Sequence, residues 1–362
     1  MAYTIGACGF IGTGSSVVSD FLKEFEETQT LDQFEFKIAY QTDGLFDLRF
    51  HLTNGNMKSE STIVALNRFR RSCAGYAYRE YRNATRNQFD GFIDQFLDEI
   101  IQGGWVSSLA DPVDEPFRNW MIRLLRKIKF FKLYSNIEKK KNREIEIYPL
   151  RKGYFSNNPE TFNDAAKELI GSILEAMGKE SGKHIVLDQP FPGNNPAAVF
   201  DFFEKPKAVV VERDPRDMYV LYSSIGYPRA QRQYPTWDVN TFIKYYRGMR
   251  EGQPYRDINK DVLVVRYEDM IYKYEETSKV VSEFCDVHNH VTPRKYFDPS
   301  LSINNTQAFK RYKGFEKDIE IIEQELDDYL YDYSEFDSAS IEFGDAFGDN
   351  PLNAAGKKWK KQ

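Results

Sequence analysis

A short apolar stretch, Tyr3-Thr4-Ile5-Gly6-Ala7, runs directly into Cys8-Gly9-Phe10-Ile11-Gly12-Thr13-Gly14-Ser15-Ser16, after which Val17, Val18, Phe21, Leu22 and Phe25 recur at helical spacing. The order strand, glycine turn, helix start belongs to α/β architecture and leaves few other ways to fold the N-terminal region. Amide N–H groups at such a helix start have no partner within the helix, the helix dipole favours negative charge there, and glycine lets an anion approach the backbone. Ser15 and Ser16 would add hydroxyl donors. Turns of this kind also serve tight packing in folds that bind no anion, so the turn alone decides nothing. A Walker A loop requires Gly-Lys-Ser/Thr, because the lysine neutralises the terminal phosphates and the hydroxyl holds magnesium. Here Gly14 is followed by Ser15 and Ser16, which argues against an ordinary ATP or GTP hydrolase.

A second segment restricts the reading further. Lys207-Ala208-Val209-Val210-Val211 has the continuous apolar character of a buried strand, and Glu212-Arg213-Asp214-Pro215-Arg216-Asp217 follows it before a helical stretch from Met218 to Ile225. A strand releasing two arginines at its carboxyl end puts them where open parallel sheets bind ligands. Guanidinium forks suit phosphate oxygens, and such charge-assisted bonds are worth ~1.5–3 kcal/mol each. The structural alternative pairs Arg213 and Arg216 with Asp214 and Asp217 as an ion cluster capping the next helix.

Taken in order, these motifs resemble the sulfotransferases that use 3′-phosphoadenosine 5′-phosphosulfate (PAPS). Members open with a strand, a Ser-Gly-Thr/Ser-Thr/Ser type loop and a helix, which Thr13-Gly14-Ser15-Ser16 matches. They continue with Arg-Asp/Asn-Pro-Arg/Lys-Asp, matched at Arg213 to Asp217, and with a later strand ending in Arg-Tyr-Glu-Asp, matched at Arg266 to Asp269. The resemblance covers roughly 1–55, 184–284 and 299–333. It is nearest to bacterial members with a Gly-Ser-Ser loop that also carry Asp43 to Leu48, Asp188 to Pro190 and Ser302 to Gln307; some act on surface glycans, and gut bacterial relatives sulfonate sterols. The resemblance implies an α/β fold, a P-loop-like parallel sheet flanked by helices, PAPS as donor with no metal, and transfer of a sulfuryl group to an acceptor hydroxyl. It further implies that Gly12, Thr13, Gly14, Ser15 and Ser16 hold the 5′-phosphosulfate and that Arg213 holds the 3′-phosphate.

Two departures matter. Gly12 stands where many members place a lysine, so another cation must serve; Lys310, Arg311 and Lys313, or Arg68, Arg70 and Arg71, are the candidates. Leu221 stands where a serine usually shares the 3′-phosphate, with Ser223 and Ser224 nearby. Sulfuryl transfer is mostly positioning plus stabilisation of charge, and a base that takes the acceptor proton contributes ~10²–10⁴-fold. Of the four histidines, His51 lies just past Asp43-Gly44-Leu45-Phe46-Asp47-Leu48-Arg49, where the family places its base; Asp43 and Asp47 are the runners-up. His184, His288 and His290 read as structural. Gln189, in the loop Asp188-Gln189-Pro190, offers an amide to substrate. Two rivals stay open. One is a kinase-like transferase using ATP, which would want magnesium and the missing lysine; the other is a nucleotide-binding protein without turnover.

With 362 residues, 41% of them hydrophobic, the chain can bury one large core or two modest ones. A net charge of −6 argues against a nucleic-acid binder. Cys8, Cys73 and Cys285 show no CxxC spacing, so neither zinc site nor disulfide framework is indicated, and a cytoplasmic protein without integral membrane segments is expected. Strands are expected at Tyr3–Ala7, Phe36–Tyr40, His184–Leu187, Lys207–Val211 and Val262–Val265, giving a core of 1–67 with 178–335. A helical insertion over 68–177 carries one stripe of Phe89, Phe92, Phe96 and Ile100 and another of Phe117, Trp120, Leu124 and Ile128, and is the expected acceptor cap. The tail, 336–362, reads as loosely ordered. Acceptor choice lies between a sterol-like lipid and a glycan hydroxyl; aromatic content of 15% leans toward the former.

Overall fold

A computed structural model describes residues 2–53, 59–108, 120, 150–155, 159–224, 235–250, 259–336 and 341–344. The chain divides into two compact units, unit 1 being 1–37 with 179–362 and unit 2 being 38–178. Unit 1 is α/β. Its five strands, β1 (Thr4–Gly9), β2 (Thr28–Leu31), β5 (His184–Asp188), β6 (Pro206–Glu212) and β7 (Val262–Arg266), form one parallel sheet in the order β2-β5-β1-β6-β7. β1 is central, so the turn that follows it and the arginines that follow its neighbour β6 leave the sheet at the same carboxyl edge.

Helix α1 (Ser16–Leu22) covers one face of the sheet. Val18, Phe21 and Leu22 pack with Ile5 and Ala7 of β1, Val209 and Val211 of β6, Val265 of β7, and Val281 and Cys285 of a later helix. Each such fully buried large side chain contributes about 1.5–3 kcal/mol. The amphipathic helix expected near the end forms at Glu316–Glu325. It packs Ile319, Ile322 and Leu326 on the helices Pro215–Ser224 and Val239–Gly248 rather than directly on the sheet.

The expected strand at Phe36–Tyr40 is not one. Phe36 donates its N–H to Asp188 O, and the Ile38 and Ala39 carbonyls accept from Leu45 and Phe46, so this stretch closes a turn and buries Phe36, Ile38 and Ala39 without a ladder. The edge strand beside β5 is Thr28–Leu31 instead, whose threonines suit a pleat but whose polar character hides it from an apolar pattern search.

Unit 2 contains α2 (Leu45–Thr53), α3 (Ser59–Ala74), α4 (Arg79–Ala84), α5 (Phe89–Ile100) and α6 (Pro159–Ala176), and the positions 68–177 expected to form a helical insertion fall inside it. It also holds an antiparallel strand pair that the helical reading missed, β3 (Gly103–Ser108) with β4 (Leu150–Phe155). The α5 stripe is core, with Phe89, Ile93, Phe96, Leu97 and Ile100 buried. Of the second stripe only Trp120 lies among the described residues, and it is exposed. Phe117, Leu124, Ile128 and the segment beyond 344 lie outside them. No described helix is long and apolar enough to cross a membrane.

Candidate active site

The turn after β1 is built by its own side chains and by two glycines in the left-handed region. Gly12 has φ +80° and Gly14 φ +83°, conformations that residues with a Cβ rarely adopt. Thr13 is buried: its hydroxyl donates to Phe10 O at 2.9 Å and accepts from Phe10 N–H at 3.1 Å, so this hydroxyl shapes the loop. Among the described residues the N–H groups of Gly12, Gly14, Ser15 and Ser16 meet no protein acceptor, which leaves a run of free donors where the chain enters α1. Ser16 is exposed at the first position of the helix.

Gln189, at φ +51° beyond β5, bridges both ends of this turn. Its carbonyl accepts from Gly9 N–H at 3.3 Å, and its amide donates to Ser15 Oγ at 2.8 Å. The loop it belongs to lies close: a Cβ at Gly193 would meet Gly9 O at 2.5 Å.

The Arg213-to-Asp217 segment does two jobs. Arg216 is a strut; its guanidinium holds Asp214 at 2.7 Å, Glu323 at 2.8 Å and Tyr331 O at 3.0 Å. Asp217 accepts from the N–H groups of Gln307 and Ala308 and from Tyr333 OH, and so fixes the start of the helical turn Ala308–Arg311. Burial pushes its carboxyl up to about 6. Arg213 has no such carboxylate partner in hydrogen-bond contact. Only 3% exposed, it lies 4.4 Å over the Tyr267 ring, donates to the carbonyls of Gly12 and Asn305, and leaves Nε unpaired. Glu268, next along from Tyr267, accepts from Asp214 N–H at 2.9 Å, and its other oxygen has no partner. Burial first, and the charge of Asp214 second, raise it to about 8, so it carries a proton at neutral pH. The Arg-Tyr-Glu-Asp motif was legible as a motif; the slab that Tyr267 makes beneath Arg213 and the neutral state of Glu268 were not, because both arise from burial.

The late segment joins the same edge. Arg311 donates to Asn304 O at 2.6 Å and Thr306 O at 3.0 Å, on either side of the Asn305 carbonyl held by Arg213, and its own Nε is unpaired. Lys310 bonds Gln307 Oε1 at 2.9 Å. Ser223 donates to Thr236 O at 3.2 Å. Ser15 with Gln189, and Gly12 with Arg213, are therefore in direct contact within unit 1, and Arg213 and Arg311 hold neighbouring carbonyls of the 304–306 segment.

Asp43, Asp47 and His51 lie in unit 2. Asp43 has φ +59° and donates its N–H to Asp47 at 2.8 Å, so the Asp47 carboxylate serves the entry to α2 while the Asp43 carboxylate pairs with Arg68. His51, in the last turn of α2, is exposed and meets the Phe50 ring edge-on. His184 accepts from Tyr3 N–H and stacks on its ring, and His290 bonds Glu24, both structural as expected.

The chain matches no known protein family profile and none of the curated proteins. Among solved structures it is similar to sulfotransferase STF1 of Mycobacterium tuberculosis H37Rv, at 10% identity and TM-score 0.36, covering 90% of this chain and 76% of that one. It is also similar to sulfotransferase STF9 of Mycobacterium avium, at 11% identity and TM-score 0.35, covering 95% and 78%. At these values the likeness says nothing of chemistry.

Proposed function

We propose that the protein is a sulfotransferase that moves the sulfuryl group of PAPS to an acceptor hydroxyl, the acceptor being a sterol-like lipid or a glycan. The observation that carries this is one sheet edge with two sets of unpaired donors, suited to anions, on adjacent strands. Four unpaired N–H groups follow β1, and a buried guanidinium with an unpaired Nε follows β6. Two phosphate-type groups on one small molecule fit two such sets, and the order of motifs along the chain agrees with that family.

PAPS, when bound, supplies an activated sulfuryl group. The turn's N–H groups orient the 5′ anion and stabilise charge as it collects on the leaving oxygen, while Arg213, stiffened over Tyr267, fixes the 3′-phosphate. Gln189 holds Ser15 and Gly9 in register so that these donors stay convergent. His51 is the proposed base. Asp43 and Asp47 are already committed to Arg68 and to the α2 entry, whereas the exposed imidazole of His51 is available to take the acceptor's proton.

Calorimetric titration with 3′-phosphoadenosine 5′-phosphate, in parallel with ATP and magnesium, tests the donor. Micromolar binding of the bisphosphate alone is expected; preference for ATP, or no binding of either, would remove this reading. His51→Ala is expected to leave bisphosphate binding intact and abolish sulfonation of sterol or glycan acceptors, and near-normal rates would return the base role to Asp43 or Asp47.

A further inference from the structure

Three arginines are nearly or fully enclosed at this edge of unit 1, and they differ in what answers their charge. Arg216, 8% exposed, has two carboxylates and a carbonyl. Arg213 has two carbonyls. Arg250, 5% exposed, has one: its Nη1 donates to Tyr246 O at 3.3 Å, while Nε and Nη2 have no partner and no carboxylate among the described residues lies within ion-pair distance.

A guanidinium carries five N–H donors, and burying it unpaired is costly enough that structural buried arginines are paired, as Arg216 is. Arg250 instead sits in an aromatic slot, 3.5 Å over the Tyr246 ring and 4.2 Å over Phe10. Neither ring is incidental. Phe10 opens the glycine turn and is tied through both its N–H and its carbonyl to Thr13. Tyr246 donates its hydroxyl to the backbone carbonyl of Arg213 at 3.1 Å, so the ring whose face Arg250 covers is tied to the segment that carries Arg213. Cation–π contact orients a guanidinium by its faces and leaves the in-plane donors free for an anion.

We propose that Arg250 is an anion-binding arginine of the glycine turn and supplies the positive charge that Gly12, in place of a lysine, does not. The proposal rests on the donor reading above for the identity of the anion, the phosphate–sulfate end of PAPS; the chemistry it commits to is a tetrahedral oxyanion. The sequence hides this residue because it belongs to no motif. Its one trace is the Tyr246/Arg250 spacing of four, which brings an aromatic and a cation together where the helix Val239–Gly248 ends.

The test compares wild type with Arg250→Met, which keeps the apolar stem, and Arg250→Lys, which keeps the charge. Affinity is measured for 3′-phosphoadenosine 5′-phosphate and for adenosine 3′-monophosphate, which lacks the 5′ anion. Arg250→Met should weaken the bisphosphate by about 10- to 100-fold, the range of one charge-assisted contact, leave the 3′-monophosphate unchanged, and be partly rescued by lysine. In buffer without oxyanions Arg250→Met should melt no lower than wild type, since it removes an unanswered buried charge. A variant that melts several degrees lower and binds the bisphosphate as wild type does would make Arg250 a packing strut and overturn the proposal. Should wild type not bind the bisphosphate, the donor reading falls, and Arg250 is judged by the melting shift in inorganic sulfate and pyrophosphate. A shift in wild type that Arg250→Met abolishes sustains the anion site; no shift, or the same shift in both, overturns it.

Discussion

Two glycines in the turn share a backbone conformation and differ in what a side chain would strike. Alanine at either position incurs the left-handed penalty of roughly 1–2 kcal/mol. At Gly12 the added Cβ meets the far end of the half-buried Tyr222 ring. At Gly14 it meets the Tyr267 ring at 2.7 Å, and that ring is pinned by Arg213 above it and by its hydroxyl on Ser302 O. Gly14→Ala should therefore cost more in urea unfolding than the left-handed penalty of roughly 1–2 kcal/mol alone, and a loss no larger than that would mean that Tyr267 is not fixed. Glu268 gives a second prediction at this scale. Its carboxyl is raised from 4.5 to about 8, so the folded chain keeps a proton that the unfolded chain releases, and stability falls as pH rises through that window. One such proton sets a limiting slope of about 1.4 kcal/mol per pH unit. Glu268→Gln keeps an acceptor for Asp214 N–H and should flatten the fall between pH 6.5 and 8; an unchanged slope would assign it to another group.

Along the element that begins at β6, one short motif serves the fold and, in the proposed function, the ligand. Arg216→Met would strand Asp214, fully buried, and should cost about 3–5 kcal/mol of unfolding free energy. Arg213→Ala should instead weaken bisphosphate binding strongly, because its guanidinium answers no carboxylate directly. A large stability loss from Arg213→Ala with unaltered binding would reverse the two assignments. The sequence could announce the motif and its place after a strand, since a run such as Val209-Val210-Val211 is a buried parallel strand by composition alone. It could not divide the arginines, because the division depends on Glu323 and Tyr331, more than a hundred residues away. The same limit explains β2: Thr28–Leu31 becomes a strand through pairing with β5, while the more apolar Phe36–Tyr40 spends its hydrogen bonds on a turn.

At the scale of the whole chain, the proposed anion-binding edge falls within unit 1 while Asp43, Asp47 and His51 fall within unit 2, so nucleotide binding and turnover should be separable. The chain leaves unit 1 near the carboxyl end of β5, where Phe36 N–H meets Asp188 O, and returns near its amino end, where Glu180 N–H meets Gln29. β2 and β5 are parallel, so whatever replaces 38–178 must cross the length of the strand, which takes about a dozen residues. A chain in which a Gly/Ser linker of that length replaces 38–178 should keep the parallel sheet and bind 3′-phosphoadenosine 5′-phosphate within about tenfold of the intact protein, a margin of about 1.4 kcal/mol. It should sulfonate nothing. Circular dichroism establishes that the sheet survives, and calorimetry with an acceptor assay reads the rest. Turnover by the shortened protein would remove His51 and its neighbours from the chemistry, whereas a folded sheet that no longer binds the bisphosphate would assign part of the donor site to unit 2.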